Sequence, residues 1–483
     1  MKKLLYITLI ILLSLPVWAQ HNNSMYFMES LPQAKWLNPA IQNECKIHVG
    51  GALIPVTGQL LLPIQYDFGS NGFAMADIIQ SKNGKLIAPG YKGYDQEALF
   101  NSLRDVNYMT FEFHINWLTF GYKYKDWYFG LDINDKIDNH FSFNEDFIRL
   151  GLEGNGNSFM DQTANLGDLA ETTTAYTEIA ITVSKEINKQ LTVGLSAKML
   201  FGIASVWTEK SVLDMHTSSQ ENYPVQIDAD ILIHTSQPMI EVTEMYYDYE
   251  KDSMVLETIE HDVDYKQSMF NTKNLGFGFD LGATYTLNKE IELYASITDL
   301  GLIKWTDNTQ SFAVNGSYLW DGYDFKPMLD EDNNVVDGSD SNTEEEVIKI
   351  FEPELSRNSY TSFITPKAYL GGTYRFNEKI KTGLLLKSSF FQHTWHPSLT
   401  LSGNFRLAKS FETVVSYSMI NNSYTNVGIG FAAKAGPFQF FMMTDNLTAF
   451  VFPQYSRHFN FRMGINLKFG CKEKAGPKTL IGS

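Results

Sequence analysis

Beyond its first 19 residues, the sequence lacks any hydrophobic run long enough for a membrane-spanning helix, because no later stretch approaches 18 apolar residues. This absence excludes a helical membrane protein. The sequence also lacks Gly-x-Ser-x-Gly, His-Glu-x-x-His, P-loop and Cys-x-x-Cys motifs. We therefore expect no enzyme activity, no catalytic residues and no cofactor.

Basic residues are scarce as well. The chain has 38 Lys and Arg against 55 Asp and Glu, a formal net charge of -17. Most of the excess lies in two segments: residues 207–272 carry 14 acidic and 3 basic side chains, and residues 321–354 carry 12 acidic and 2 basic ones. A basic surface for nucleic acid is absent, so nucleic acid is not an expected partner.

The N-terminus predicts export. Lys2 and Lys3 precede an apolar run from Leu4 to Leu15, and Pro16-Val17-Trp18 then leads to the small residue Ala19, where cleavage is expected. This order is typical of a signal peptide over residues 1–19. A membrane anchor is disfavoured, because the run is shorter than the about 20 residues that a spanning helix needs.

The sequence is rich in aromatic residues, 14% of the chain, and in residues that alternate between apolar and polar. Residues 458–469 follow this period without exception. In a strand, alternation places every apolar side chain on one face. The predicted strands are longer than the about 5–6 residues usual in globular proteins, and suit the about 9–11 of a tilted membrane strand. They cover residues 46–66 (kinked at Pro55 and Gly58), 108–124, 127–142, 176–186, 189–206, 273–287, 291–305, 366–377, 379–391, 396–408, 410–420, 424–435, 437–446 and 458–470.

These strands predict an all-β fold, a transmembrane antiparallel β-barrel of about 14 strands in the outer membrane. Short turns are expected near residues 125–126, 188, 288–289, 377–378, 408–409 and 436–437, and longer connections near 67–107, 143–175, 207–272, 306–365, 392–395, 421–423 and 447–457. Such barrels place short turns in the periplasm and long loops outside, so both acidic segments are expected outside. A soluble β-sandwich also alternates, but it would have shorter strands.

The predicted organisation is a signal peptide (1–19), an N-terminal periplasmic or lumen-plugging segment (20–44), a barrel (45–471) with acidic extracellular inserts 207–272 and 306–365, and a periplasmic tail (472–483). Fourteen strands enclose more space than wall side chains fill. Residues 20–44 are the first candidate for the plug, because Leu31, Trp36, Leu37 and Ile41 must be buried. Residues 67–107 and 143–175 are the alternatives.

The mature chain resembles a Bacteroidota family of outer-membrane proteins, catalogued as domain of unknown function 5723. The resemblance is carried by Ser24–Met28, Asn38-Pro39-Ala40, residues 273–283 and residues 462–471. It implies a fourteen-stranded barrel similar to the long-chain fatty-acid transporter group, and no known activity.

The lumen face, read by parity, carries more cations than anions. We expect as lumen residues Lys198, Asp280, Arg375, Lys387, Arg406, Lys434 and Arg462. A positive lumen would favour anions, including lipids that bear a carboxylate. Alternatively, several of these are rim residues or pair with a plug. Glycines on the same face leave space for a ligand or a plug, or relieve crowding where the barrel curves.

Two weak metal signals are present. Asp330, Asp332 and Asn334 resemble the start of a Ca²⁺ loop, but Val335 occupies the place of the required glycine. His393 and His396 are three residues apart, and in a strand they point to opposite faces. We expect a solvated acidic loop rather than a metal site.

The leading functional hypothesis is passive uptake of a hydrophobic or amphipathic small molecule. The alternative is an outer-membrane scaffold, in secretion or surface assembly, that binds protein partners through its acidic loops. Outer-membrane lipid is an expected partner in either case. Pro55 and Gly58 in the first strand could open a lateral exit.

The chain has 2 cysteines, Cys45 before the first strand and Cys471 after the last. In a closed barrel with an even number of strands, these two strands are neighbours and both cysteines lie at the same rim. The periplasm is oxidising. We therefore predict a disulfide that closes the barrel seam, and the alternative is two thiols separated by a register offset.

The charge distribution predicts the orientation. Cysteines introduced near Asp252 and Asp340 should react with an impermeant thiol reagent on intact cells. Reaction only after the outer membrane has been permeabilised would show that the orientation is the reverse.

Overall fold

The computed structural model describes residues 23–53, 63–248, 253–260, 268–320, 353–391, 394–420 and 423–471. The predicted signal peptide, the Ca²⁺ candidate Asp330, Asp332 and Asn334, His393 and the tail 472–483 lie outside these residues.

The main sheet closes into an antiparallel barrel of fourteen strands. Strand labels follow chain order and include the strands outside the wall, so the labels of the wall strands are not consecutive. The first strand of the barrel consists of two pieces, β1 and β2, which both pair with the second strand and with the last. The strands are β1 (Cys45–Gly50) with β2 (Ile64–Ser70), β5 (Val106–Tyr124), β6 (Trp127–Asn144), β8 (Ala170–Glu186), β9 (Leu191–Thr217), β13 (Leu275–Thr286), β14 (Ile291–Trp305), β18 (Lys367–Arg375), β19 (Ile380–Phe391), β20 (Thr394–Ala408), β21 (Phe411–Ile420), β22 (Ser423–Ala435), β23 (Phe438–Thr444) and β24 (His458–Cys471).

The predicted strand number and the six predicted short turns are confirmed. All six turns join neighbouring antiparallel strands at one end of the barrel. We call this end the turn rim and the opposite end the loop rim.

The prediction of one continuous first strand over residues 46–66 is wrong. The chain advances 14 positions, from Gly50 to Ile64, while its partner β5 retreats only four, from Thr119 to Ile115. Pro63, which immediately precedes β2, has no N–H to donate to a ladder, whereas the predicted kink residues Pro55 and Gly58 lie outside the described residues. The first strand is therefore interrupted between Gly50 and Ile64, and pairing resumes in β2.

Sheet structure continues above the loop rim. β9 extends to Thr217 rather than ending at the predicted residue 206, because its outer half pairs with β10. β8 begins at Ala170 rather than at residue 176. The predicted loops therefore contain further strands: β3 (Gln80–Lys82), β4 (Lys85–Ile87), β7 (Gln162–Asn165), β10 (Val225–Ser236), β11 (Ile240–Asp248), β12 (Ser253–Glu260), β15 (Thr309–Trp320), β16 (Glu354–Ser356) and β17 (Tyr360–Phe363).

The helices of the described residues are short, and none of them is part of the barrel wall. They are α1 (Met75–Ile78), α2 (Gln96–Phe100), α3 (Glu145–Glu153), α4 (Asn155–Ser158) and α5 (Thr448–Val451), with 3-10 turns η1 (Asn23–Met25), η2 (Pro32–Trp36) and η3 (Pro453–Tyr455). Among the described residues, no helix is long and apolar enough to span a membrane.

The barrel is apolar outside and polar inside. On β13, Phe277 is 57% exposed and points outward, whereas Asp280 on the inner face is 2% exposed. A soluble β-sandwich would bury the phenylalanine and expose the aspartate. The arrangement is that of a barrel whose outer face meets lipid.

A disulfide joins the two ends of the wall. Cys45 opens β1 and Cys471 ends β24, and the two residues are direct register partners with their sulfur atoms 2.07 Å apart. The bond closes a ring over a sequence separation of 426 residues at the turn rim.

We predict that the unreduced protein has no thiol that reacts with iodoacetamide after unfolding, and that both cysteines react after reduction. Replacing both by serine should lower the midpoint temperature of unfolding, because the disulfide restricts the unfolded chain and thereby stabilises the folded barrel. For so long a ring this stabilisation is at most about 5 kcal/mol. Two reactive thiols in freshly isolated membranes would contradict this pairing.

Candidate functional site in the barrel lumen

Residues 23–44, here called the N-terminal segment, lie inside the barrel. Their apolar side chains pack on inward-facing wall residues such as Tyr369, Leu385 and Phe441 to form one core. The segment members of this core are Met25, Tyr26, Phe27, Met28, Leu31, Ala34, Leu37 and Ile41. A hydrophobic core therefore sits in the middle of a polar lumen.

Asp445, at the end of β23, holds the beginning of this segment. Its carboxylate accepts hydrogen bonds from the backbone N–H of Asn23 at 3.2 Å and of Ser24 at 3.0 Å, and from the Ser24 hydroxyl. Asn460 on β24 donates to the same carboxylate at 2.9 Å. One buried carboxylate thus satisfies the first N–H groups of η1, which have no partner within the turn.

A buried ion pair holds the middle of the segment. Lys35 Nζ lies 3.0 Å from Asp132 Oδ2 on β6, and both side chains are 1% exposed. Trp36 Nε1 donates to the other oxygen of Asp132 at 2.9 Å. Because removing one partner of such a pair leaves a buried charge, the pair fixes the depth of the segment in the lumen.

Two further ion pairs fasten the segment at the turn rim. Glu29 pairs with Lys381 at 2.7 Å, and Glu44 pairs with Arg406 at 3.2 Å. The segment therefore runs from Asp445, deep in the barrel, to the turn rim beside Cys45.

Wall glycines make room for this segment. A Cβ atom at Gly282 would lie 2.1 Å from Asn38 Oδ1, one at Gly194 would lie 2.3 Å from the Pro39 carbonyl, and one at Gly383 would lie 2.5 Å from the Phe27 ring. Asn38 cannot easily retreat, since it donates to the Tyr26 hydroxyl at 3.1 Å and accepts from the Ala40 N–H at 3.0 Å. These glycines give the wall the shape of its contents.

A second group of charged side chains lies towards the loop rim. Lys198 contacts Asp280 and Asp299 at 2.7 Å each and Glu178 at 3.3 Å. Lys136 contacts Glu178 at 2.9 Å and Asp299 at 3.3 Å. Two lysines thus face three carboxylates, so Lys198 is part of an ion-pair network with an excess of carboxylates and is not an open site for an anion.

Two cavities of the described part of the barrel border the N-terminal segment. The larger, about 670 Å³, opens at the turn rim among side chains of both charges, including Arg375, Lys381 and Arg406. The smaller, about 10 Å³, lies at the interruption of the first strand, beside Trp36 and Arg462.

The model of the family of unknown function DUF5723 matches residues 39–445. The chain belongs to this family. The resemblance inferred from the sequence is thereby confirmed for the family. No curated protein matches the chain.

Several solved structures match over most of their length, but with low TM-scores. The DUF5723 chain matches a TodX deltaS2S3 mutant monoaromatic hydrocarbon channel (11% identity, 90% of this chain and 94% of that chain, TM-score 0.41). It also matches the Ralstonia pickettii toluene transporter TbuX (9%, 91% and 94%, 0.40) and a Pseudomonas aeruginosa FadL homologue (10%, 94% and 99%, 0.39). At these scores the likeness carries no argument about cargo.

The residues expected in the lumen of this DUF5723 barrel fall into two groups. Lys198, Asp280, Lys387 and Arg462 are buried inside the barrel. Arg375, Arg406 and Lys434 lie half-buried at the turn rim, where Lys434 Nζ is 3.1 Å from Cys471 Sγ. The first four residues therefore lie in the lumen, and the other three are rim residues, as the alternative interpretation of the parity pattern states.

Sequence reasoning missed several charged residues of the lumen, among them Lys35, Lys136, Glu178, Asp299 and Asp445. The alternation of β6 carried a signal for one of them, because Lys136 has the same parity as the inward-facing Asp132, four residues earlier on the strand. Within the described part of the chain, no group of three His, Cys, Asp or Glu side chains could hold a metal ion.

We predict that Gly282→Ala displaces the N-terminal segment, because the added methyl group overlaps Asn38 and overpacking typically costs about 1–3 kcal/mol. Trypsin should then cleave after Lys35, which is buried in the wild type, and mass spectrometry of the digest should find the cut.

Gly278→Ala is the matched control for this experiment. Gly278 lies four residues away on the same face of β13, and its added Cβ would have no neighbour closer than 3.6 Å. Equal trypsin resistance of both folded variants would show that the segment does not need the space that Gly282 leaves.

Proposed function

We propose that this protein is an outer-membrane barrel that lets small hydrophobic or amphipathic molecules enter passively, and that its N-terminal segment is the removable plug. The segment fills the lumen at the level of η1 and η2, so passage requires it to move. The network around Lys198, in which carboxylates outnumber lysines, argues against a passage selective for anions.

One observation carries this proposal: the small cavity at the interruption of the first strand is lined from both sides of the wall. Trp36 and Arg462 line it from the lumen, and Ile64 and Met463 come from the outward-facing register of β2 and β24. Residues of the lumen face and of the lipid-facing side thus meet at this cavity, beside the plug. A molecule released from the lumen at this level would leave sideways into the bilayer.

The attachment of the segment supports a plug that moves. Its C-terminal end is fixed covalently, because Glu44 precedes Cys45 and the disulfide to β24. Its beginning has no covalent link to the wall among the described residues and is held by hydrogen bonds to Asp445 and neighbouring wall residues and by packing in the core. Release of that end would open the lumen and leave the base in place.

The scaffold alternative depends on the acidic segments. Residues 321–352 lie outside the described residues, so a partner at these loops stays a prediction. A scaffold would not need its lumen to open, and the following experiment separates the two functions.

We predict that tying the segment to the wall stops uptake. The Oγ atoms of Ser24 and Ser416 are 2.8 Å apart, so the double variant Ser24→Cys/Ser416→Cys should form a disulfide between η1 and β21. Uptake of a hydrophobic fluorescent probe by intact cells should fall to the level of cells without the barrel, and dithiothreitol should restore it.

The matched control is Thr182→Cys/Ser196→Cys. These hydroxyl oxygens are also 2.8 Å apart, but they join β8 to β9 within the wall. This cross-link should leave uptake unchanged. Uptake by the locked variant equal to wild type would eliminate the plug, and no uptake by wild type would eliminate the channel.

A further inference from the structure

At the interruption of the first strand, four polar side chains lie together on three neighbouring strands. Gln65 on β2 is the register partner of Arg462 on β24 and of His114 on β5. Asn116 follows on β5, at the point where the register of that strand shifts. These four residues and Trp36 are among those that line the cavity of about 10 Å³.

Each of the four polar residues has one side-chain atom buried without a hydrogen-bond partner among the described residues. The atoms are Gln65 Oε1, His114 Nε2, Asn116 Oδ1 and Arg462 Nε. All four residues are more than nine-tenths buried. A buried polar atom without a partner destabilises the folded state, so four around one cavity indicate a common occupant.

The chemistry of these atoms defines that occupant. Two are amide oxygens and accept hydrogen bonds, Arg462 Nε–H donates, and His114 Nε2 donates in one tautomer. The orientation of Asn116 is fixed, because its Nδ2 donates to Asn134 Oδ1 at 2.7 Å and to the Leu118 carbonyl at 3.0 Å. A water molecule has two hydrogens and two lone pairs, so one water satisfies all four atoms. A carboxylate has no hydrogen for the two amide oxygens.

The size of the cavity agrees with this count. A cavity of at least about 10–15 Å³ holds one water, and a stable buried water needs about 2–4 polar partners. Trp36 closes the site, with its ring centroid 5.0 Å from that of His114 and 5.6 Å from the Arg462 guanidinium carbon.

We propose that Gln65, His114, Asn116 and Arg462 form a site for a single neutral oxygen. The site holds a water when the plug is seated. If molecules pass here as proposed above, the site receives the hydroxyl head of a neutral amphipathic molecule, such as a phenol or an alcohol, once Trp36 has moved. The hydroxyl oxygen then accepts from Arg462 and His114, and its single hydrogen is donated to Gln65 Oε1. The site disfavours carboxylates, and an unsubstituted hydrocarbon gains nothing from it.

The water site is tested without reference to transport. A high-resolution crystal structure of the wild type should have one oxygen within 3.2 Å of Gln65 Oε1, Asn116 Oδ1 and Arg462 Nε, the upper limit of an ordinary hydrogen bond. Gln65→Met, of similar size but without the acceptor, should lower the occupancy of this oxygen, because one of its four partners is gone, and Gln65→Glu, which keeps an acceptor, should retain it fully. No oxygen in the wild type would overturn the site.

The head-group role is tested with a matched set of probes: 2-naphthol, naphthalene and 2-naphthoate, taken up by intact cells. Gln65→Met should lower the uptake ratio of 2-naphthol to naphthalene about fivefold, the effect of one neutral hydrogen bond. Gln65→Glu should stay close to wild type. In all variants, uptake of 2-naphthoate should be the slowest of the three.

Asn404→Leu is the control, because Asn404 is another buried lumen amide whose Oδ1 lacks a partner among the described residues, and it lines the turn-rim cavity instead. Its ratio should equal that of wild type. An unchanged ratio in Gln65→Met, with normal uptake, would overturn the head-group role alone. No uptake of any probe by wild type would instead refute the proposed channel, while the crystal structures still decide whether the oxygen site exists.

Discussion

A β-strand in a membrane needs a hydrogen-bonded neighbour on each side, because lipid offers its N–H and C=O groups no partner. In this barrel the requirement is hardest to meet at the first strand, which must join β5, close in sequence, to β24, the end of the chain. It does so in two pieces, and the disulfide between Cys45 and Cys471 lies at the end of that seam. The closed wall, the lumen and the seat of the N-terminal segment all depend on this pairing.

The lumen is shaped as much by what the wall lacks as by what it carries. Gly194, Gly282 and Gly383 leave hollows that Pro39, Asn38 and Phe27 occupy. Between the hollows, Asp132 and Asp445 supply charge where the segment presents Lys35 and backbone N–H groups. Wall and segment are therefore complementary in volume and in charge, and a loosely inserted plug would need neither.

Period-two alternation was enough to predict the number of wall strands and the six short turns between them, because a membrane barrel sorts side chains strictly by face. It did not predict the break between β1 and β2. It could not predict where β9 ends, since β9 continues above the membrane in a pairing with β10 that has no lipid-facing side. Parity also identified Lys198 and Asp280 as lumen residues. It could not pair them, because partners such as Glu178 and Asp299 are brought close only by the strand order and the shear of the closed barrel.

The attachments of the N-terminal segment also have an order in time. Asn23 and Ser24 contact residues of β20, β21 and the end of β23, and Glu29 and Glu44 pair with β19 and β20. Most of its anchors thus lie in the last quarter of the chain, whereas the segment itself is synthesised first. Met25, Tyr26, Phe27 and Met28 have no wall to cover them until those strands exist. The earliest described part of the chain to be made is therefore the part that waits longest for its packing partners.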